Sequence, residues 1–235
     1  MTTTLITGAN KGLGYETARQ LLAAGHTVYV GSRDAERGRE AAERLGARFV
    51  QLDVTDDASV AAAAKAIETD GGLDVLINNA GIEGRTPDNV VIGPADETAE
   101  HMAAMFDTNV FGMVRVLHAF LPLLRRSAAP VVVNLSSGLS KVADLADPDG
   151  PVHFYPGIAY PASKSAVNML TVQYAKAFPG MRINAVEPGY TATDLNGFTG
   201  TQTVEEGAEI IVRMAQLGPD GPTGEFYDSR GPRGW

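Results

Sequence analysis

The sequence contains no cysteine. A disulfide framework, a thiolate nucleophile and a cysteine-held metal site are therefore excluded. Histidine is scarce as well: His26, His101, His118 and His153 lack any ligand spacing such as HExxH, so no metal centre is expected. No run approaches the roughly 18 apolar residues that a membrane helix needs. The opening Met1–Leu5 has neither a basic stretch nor a long apolar one, and no secretory leader is expected. Basic residues are in the minority, 19 Lys and Arg against 28 Asp and Glu, for a net charge of −9. That balance argues against a nucleic-acid surface and is explained by solubility. These absences lead to the expectation of a cytoplasmic protein that meets small molecules rather than nucleic acid or membrane.

What is present is order. The 235 residues, 44% hydrophobic and 20% charged, suit a single core, and 1–235 is read as one domain. Short β-rich runs at Thr3–Thr7, Thr27–Ser32, Arg48–Leu52, Val75–Asn78, Val131–Leu135 and Arg182–Val186 are continuously apolar, as strands covered on both faces are. Amphipathic segments separate them, near Leu13–Ala24, Ala35–Leu45, Asp57–Thr69, Thr98–Leu124 and Ala162–Phe178. A last helix near Val204–Leu217 precedes a short strand at Gly224–Tyr227. Asp56 is placed to cap the third helix. This alternation predicts an α/β fold, a Rossmann-type doubly wound parallel sheet of about seven strands. Only Gly138–Gly157, broken by Pro148, Gly150, Pro151 and Pro156, is too irregular for an element, and long loops in compact domains are usually functional.

The turn Thr7-Gly8-Ala9-Asn10-Lys11-Gly12-Leu13-Gly14 joins the first strand to the first helix. Glycines there permit a tight turn and close backbone approach to a diphosphate, which the unpaired N–H groups of a helix start attract. A glycine pattern alone is weak, but its strand–turn–helix setting is the required context. No Lys-Ser or Lys-Thr pair closes the motif, so a P-loop is excluded.

The spacing T-G-x-x-x-G-x-G resembles that of the short-chain dehydrogenase/reductase family, and further marks follow in order. Asp53 ends the third strand, Asn78-Asn79-Ala80-Gly81 the fourth, and Asn109 stands in N-x-x-G inside the long helix. Ser136-Ser137 closes the fifth strand, Tyr160-Pro161-Ala162-Ser163-Lys164 matches YxxxK, and Pro188-Gly189 follows the sixth strand. The resemblance spans nearly the whole chain. It implies a hydride transfer between NADP(H) or NAD(H) and a carbonyl or alcohol carbon. Cofactor contacts are implied at Gly8, Asn10, Lys11, Gly12, Leu13, Gly14, Arg33, Asp53 and Val54, then at Asn79, Ala80, Gly81, Tyr160, Lys164, Pro188, Gly189, Thr191 and Thr193.

By the same resemblance Tyr160 exchanges a proton with the substrate oxygen, Ser137 hydrogen-bonds that oxygen, and Asn109 holds a water linking Lys164 to solvent. Ser136 is then a strand-end hydroxyl. Spacing i, i+4 puts Tyr160 and Lys164 on one helix face. Bringing a phenol from a pKa of ~10 towards neutrality takes ~4 kcal/mol, and an ammonium about 5 Å away at a dielectric of ~20 contributes roughly 3 kcal/mol.

For the cofactor, Asp34 lies 20 residues after Gly14, where an acid would bind the 2′-hydroxyl of NAD. Arg33 and Lys11 resemble instead the family's NADP(H) pattern, and two bases on one phosphate outweigh Asp34, which also reads as a helix cap. NADP(H) is favoured over NAD(H).

Two departures from the family stand out. Ser137 and Tyr160 are 23 residues apart, so 138–157 holds an insertion at the substrate mouth, with room for a short helical turn. Thr191 replaces the usual Val or Ile. The short segment Asp194–Gln202 suggests an open or partly covered site. LITGANKGLGYETA and GPTGEFYDSRGPRGW are similar to the carbonyl-reductase branch, implying ketone or aldehyde reduction. Homodimer and monomer both remain open, as does the substrate. The rival readings are a catalytically silent NADP(H)-sensing binding protein and a sugar-nucleotide epimerase or dehydratase. The intact Asn109, Ser137, Tyr160 and Lys164 set opposes the first, and the chain lacks the longer C-terminal region of the second.

Overall fold

A computed structural model describes all residues from Met1 to Trp235. Eight strands form one sheet: β1 Thr3–Thr7, β2 Thr27–Ser32, β3 Arg48–Gln51, β4 Val75–Asn78, β5 Val131–Leu135, β6 Arg182–Val186, β7 Phe226–Asp228 and β8 Gly231–Arg233. Their order is β3-β2-β1-β4-β5-β6-β7-β8, parallel except that β8 returns antiparallel to β7. The eight helices are α1 Gly12–Ala23, α2 Ala35–Leu45, α3 Asp57–Thr69, α4 Ala99–Phe106, α5 Gly112–Leu124, α6 Val142–Ala146, α7 Ala159–Ala177 and α8 Val204–Ala215.

The continuous apolar runs make strands because both sheet faces are covered. Side chains alternate between the faces. Leu5, Leu76, Val132 and Ile183 pack with α3 and α5, while Ile6, Ile77 and Val133 pack with α1, α2 and α8. Local chemistry sets the helix ends. Asp34 accepts from the Arg37 N–H to cap α2, Asp56 accepts from the Ala58 N–H to cap α3, and Thr203 and Glu206 form a capping box on α8. Gly46 stops α2 in a left-handed conformation at φ 68°.

Two elements differ from the sequence expectation, the long helix and the end of the sheet. The segment Thr98–Leu124 is not one helix: a π-helical turn, Asp107–Phe111, separates α4 from α5. The insertion carries the expected helical turn as α6. An eighth strand exists because the Asp228 carboxylate accepts from the N–H groups of Arg230 and Gly231, forming a tight turn that folds the tail back on β7. No helix is long and apolar enough to cross a membrane. The strand order reverses between β1 and β4, and a sheet of this kind opens a crevice at the carboxyl ends of the strands flanking that point.

Candidate active site

That crevice is a cleft of ≈ 1130 Å³, running from the glycine turn after β1 to the loops after β5 and β6. The turn is held open by its own residues. Gly8 and Gly12 have φ of 65° and 56°, a region other residues rarely adopt. Gly14 is packed so closely that a Cβ would lie 2.5 Å from Asn79 Nδ2 and 2.8 Å from the Gly8 carbonyl oxygen. Asn79 braces the turn by donating to the carbonyls of Thr7 (2.8 Å) and Gly8 (3.1 Å). Thr7 Oγ1 in turn accepts from the N–H groups of Asn79 and Ala80. No side chain caps the start of α1, which leaves its first N–H groups without a side-chain partner, and Asn10, Lys11, Gly12 and Leu13 at that start line the cleft. The Lys11 ammonium pairs with Asp194 across the cleft mouth.

Arg33, Asp53 and Val54 line one end of the cleft. Asp53 lies two residues beyond β3 and accepts from Thr55 N–H (2.9 Å) and Oγ1 (2.7 Å). Partial burial opposes its charge, but the Thr55 bonds, with Arg33 and Arg115 nearby, hold its carboxyl below the usual range. Asp34 is turned to its helix cap and to Arg37 Nε at 2.8 Å, outside the cleft lining.

At the other end the π turn presents Asn109, and such a turn inside a helix often marks a functional site. Asn109 Oδ1 accepts from the Ile82 N–H at 2.8 Å, and Nδ2 donates to the Ile82 carbonyl (2.9 Å) and to Ser163 Oγ (3.1 Å). Lys164 is buried on α7, donates to the Leu135 carbonyl at 2.8 Å, and lies 5.5 Å from the Tyr160 ring centroid. A Cβ on Gly81 would stand 3.3 Å from Asn109 Oδ1 and 3.6 Å from Lys164 Nζ, so all three converge. A cavity of ≈ 10 Å³ between Asn109 and Lys164 approaches the size of one water.

Ser137, just past β5, lines the cleft with Tyr160, its Oγ accepting from the Leu139 N–H at 3.2 Å. Ser136 is buried and donates to Asn168 Oδ1 at 2.6 Å, leaving Ser137 as the hydroxyl beside the phenol. Burial, reinforced by the charges of Glu83 and Glu187, pushes the Tyr160 phenol well above its ordinary value, with the Ser137 hydroxyl acting the other way. Burial brings Lys164 down to about 8. In the free protein desolvation is the largest influence on the phenol.

On the far side, Pro188, Gly189 (φ 82°), Thr191 and Thr193 line the cleft. Thr191 is buried, its hydroxyl accepts from Gln202 Nε2 at 2.8 Å and its carbonyl from Asn196 Nδ2 at 2.9 Å. Thr193 packs on Gly12, 3.6 Å from where a Cβ would lie.

Sequence reading passed over Glu83, Arg85, Tyr155 and Glu187, which also line the cleft. Tyr155 donates to Glu83 Oε1 at 2.5 Å, and Arg85 holds Oε2 at 2.8 Å. The position of Glu187 immediately before Pro188-Gly189 was the one available signal.

A glycine turn at the switch point, sharing one cleft with a tyrosine–lysine pair, is the arrangement of a dinucleotide-dependent oxidoreductase. A family model described as short chain dehydrogenase matches residues 2–203, and the chain belongs to that family of nicotinamide-dependent enzymes. It is 33% identical to (+)-neomenthol dehydrogenase of Capsicum annuum, over 95% of this chain and 94% of that protein. The structure of salutaridine reductase from Papaver somniferum superposes with a TM-score of 0.84 at 30% identity, covering 97% of this chain and 99% of that one. NADPH-bound carbonyl reductase from chicken fatty liver gives a TM-score of 0.86 at 29% identity, covering 100% and 99%.

Proposed function

We propose that the protein reduces a ketone or aldehyde to an alcohol with NADPH, the proton coming from Tyr160. The observation that carries this reading is that Tyr160, Ser137 and Lys164 line the same cleft as the glycine turn. The residues present fit the cofactor: Gly14 has no room for a side chain, and the unpaired start of α1 suits a diphosphate. Gly8, Asn10, Gly12 and Leu13 would hold the diphosphate, Asp53 and Val54 the adenine, and Asn79, Ala80 and Gly81 the adjoining ribose. Lys164 with Tyr160 would hold the nicotinamide ribose, and Pro188, Gly189, Thr191 and Thr193 the carboxamide. When bound, the nicotinamide supplies the hydride.

Tyr160 carries its proton at neutral pH, the form that a donor to a carbonyl oxygen must have. Ser137 donates to the same oxygen and stabilises the charge that develops on it. As the phenol loses its proton, the Lys164 ammonium stabilises the phenolate by roughly 3 kcal/mol, taking about 5 Å and a dielectric of ~20. The cavity beside Asn109 offers a route for that proton to be replaced through one water.

NADP(H) is favoured because Arg33 lines the cleft with a guanidinium engaged in no ion pair. Lys11 can join it, since its exposed pair with Asp194 is worth about 0–1 kcal/mol. The chicken carbonyl reductase, described as NADPH bound, points the same way. The test is to mix the protein with NADPH and a panel of ketones and aldehydes and follow nicotinamide absorbance. Oxidation by at least one carbonyl supports the reading. Tight NADPH binding with no oxidation across the panel contradicts it and favours a sensing role.

A further inference from the structure

Resting on the carbonyl-reductase reading, we infer that the substrate is an uncharged hydroxy-carbonyl compound whose hydroxyl donates to the free carboxylate oxygen of Glu187. Glu187 stands at the end of β6, lines the cleft and is mostly buried, its side chain 19% exposed. Its Oε2 is taken by Arg233 of β8. Its Oε1 lies against Gly138, where any Cβ would collide with it, and has no hydrogen-bond partner. Glu187 shares the cleft with Ser137 and stands near enough to Tyr160 for its charge to act on the phenol, so this free acceptor lies at the reacting end of the cleft.

The charged groups around it decide what it accepts. Arg233 gives its remaining contacts to Asp144 of α6 (2.8 Å) and Asp228 (3.8 Å), with its guanidinium over the Phe226 ring. Arg85 is spent on Glu83 and the Asn89 carbonyl (2.9 Å). Tyr155 commits its proton to Glu83 and keeps only acceptor capacity. Both arginine heads near the substrate end are thus engaged within the protein, while acceptors stay free. A carboxylate-bearing substrate meets Glu83 and Glu187 with no uncommitted cation. A cationic one finds Glu83 already paired to Arg85 and Glu187 to Arg233. A neutral hydroxyl satisfies the free oxygen at no charge penalty. The exposed Phe154, Tyr190 and Leu195 along the outer cleft suit an apolar remainder.

The test compares acetophenone, α-hydroxyacetophenone and benzoylformate as substrates with NADPH, and as ligands that raise the Tm of the NADPH complex. The expected kcat/KM for α-hydroxyacetophenone exceeds that for acetophenone by about tenfold or more, as a bond to a charged acceptor gives, with benzoylformate not reduced. In Glu187→Gln the amide oxygen turns to Arg233 and the NH₂ faces the cleft, so the ratio falls to one or below. Equal or better turnover of acetophenone by the unmodified protein overturns this inference and leaves the reductase reading standing. If no compound is reduced, yet α-hydroxyacetophenone stabilises the unmodified protein and not Glu187→Gln, this inference holds and the reductase reading fails. Neither turnover nor stabilisation overturns both. Weaker NADPH binding in Glu187→Gln with an unchanged ratio assigns the carboxylate to the cofactor and also overturns the inference.

Discussion

Lys164 lies over the ring of Tyr160, 5.5 Å from its centroid, and is fastened there by a 2.8 Å bond to the Leu135 carbonyl. The backbone of β5 therefore positions the ammonium, and the i, i+4 spacing on α7 then sets where the phenol stands. Because the lysine is buried, its proton is held loosely, and its pKa near 8 makes the charge at the site sensitive to mildly alkaline pH.

A pH dependence follows, with a definite sign. Folding lowers the Lys164 pKa from an ordinary 10.5 to about 8. Below pH 8 both folded and unfolded lysines are charged, and the burial penalty is fully felt. Between about 8 and 10.5 the unfolded chain binds the extra proton, so this group makes stability rise with pH across that window. Activity moves oppositely: kcat/KM for reduction should fall above pH 8 as the ammonium is lost. Lys164→Arg should shift that limb upward, and an unmoved limb would assign it to another group.

The phenol predicts a separation of binding from chemistry. Tyr160→Phe should lower kcat by about 10²–10⁴-fold, the usual worth of a positioned acid, with NADPH affinity changed severalfold at most. Stopped-flow turnover beside a fluorescence titration measures both.

On the proposed reading, cofactor choice rests on Arg33, which lines the cleft. Arg33→Ala should reduce the preference for NADPH over NADH by roughly 10–150-fold, since a charge-assisted bond contributes about 1.5–3 kcal/mol. Asp34→Ala should leave that ratio unaltered and lower stability by about 1 kcal/mol through loss of the α2 cap.

The glycine turn gives a packing prediction. Gly14→Ala places a methyl 2.5 Å from Asn79 Nδ2 and 2.9 Å from Ala9 Cα. It should destabilise by about 1–3 kcal/mol, as overpacking does, and weaken both cofactors alike, which thermal melts with and without NADPH would register.

Much of this was legible in the chain because the information is local. Continuous apolar runs marked the parallel strands, and Asp56 marked a helix start through its neighbours. The break at Asp107–Phe111 was not legible, since the π turn runs without interruption into a helix at either end. Strand β8 escaped because Gly-Pro-Arg carries no strand pattern and forms only through the turn that Asp228 makes. The pair Glu187–Arg233 joins residues 46 positions apart, and Tyr155–Glu83 joins residues 72 apart. No spacing rule reaches across such distances, so the substrate end of the cleft came only from the fold.

The central claim is that Tyr160 gives its proton to a carbonyl oxygen in an NADPH-dependent reduction. Single-turnover reaction of the preformed NADPH complex with a reducible carbonyl, for the unmodified protein and Tyr160→Phe side by side, tests it most directly. The account predicts rapid NADPH oxidation in the first and a rate at least about a hundredfold lower in the second. Equal rates in the two, with NADPH bound by both, would contradict it.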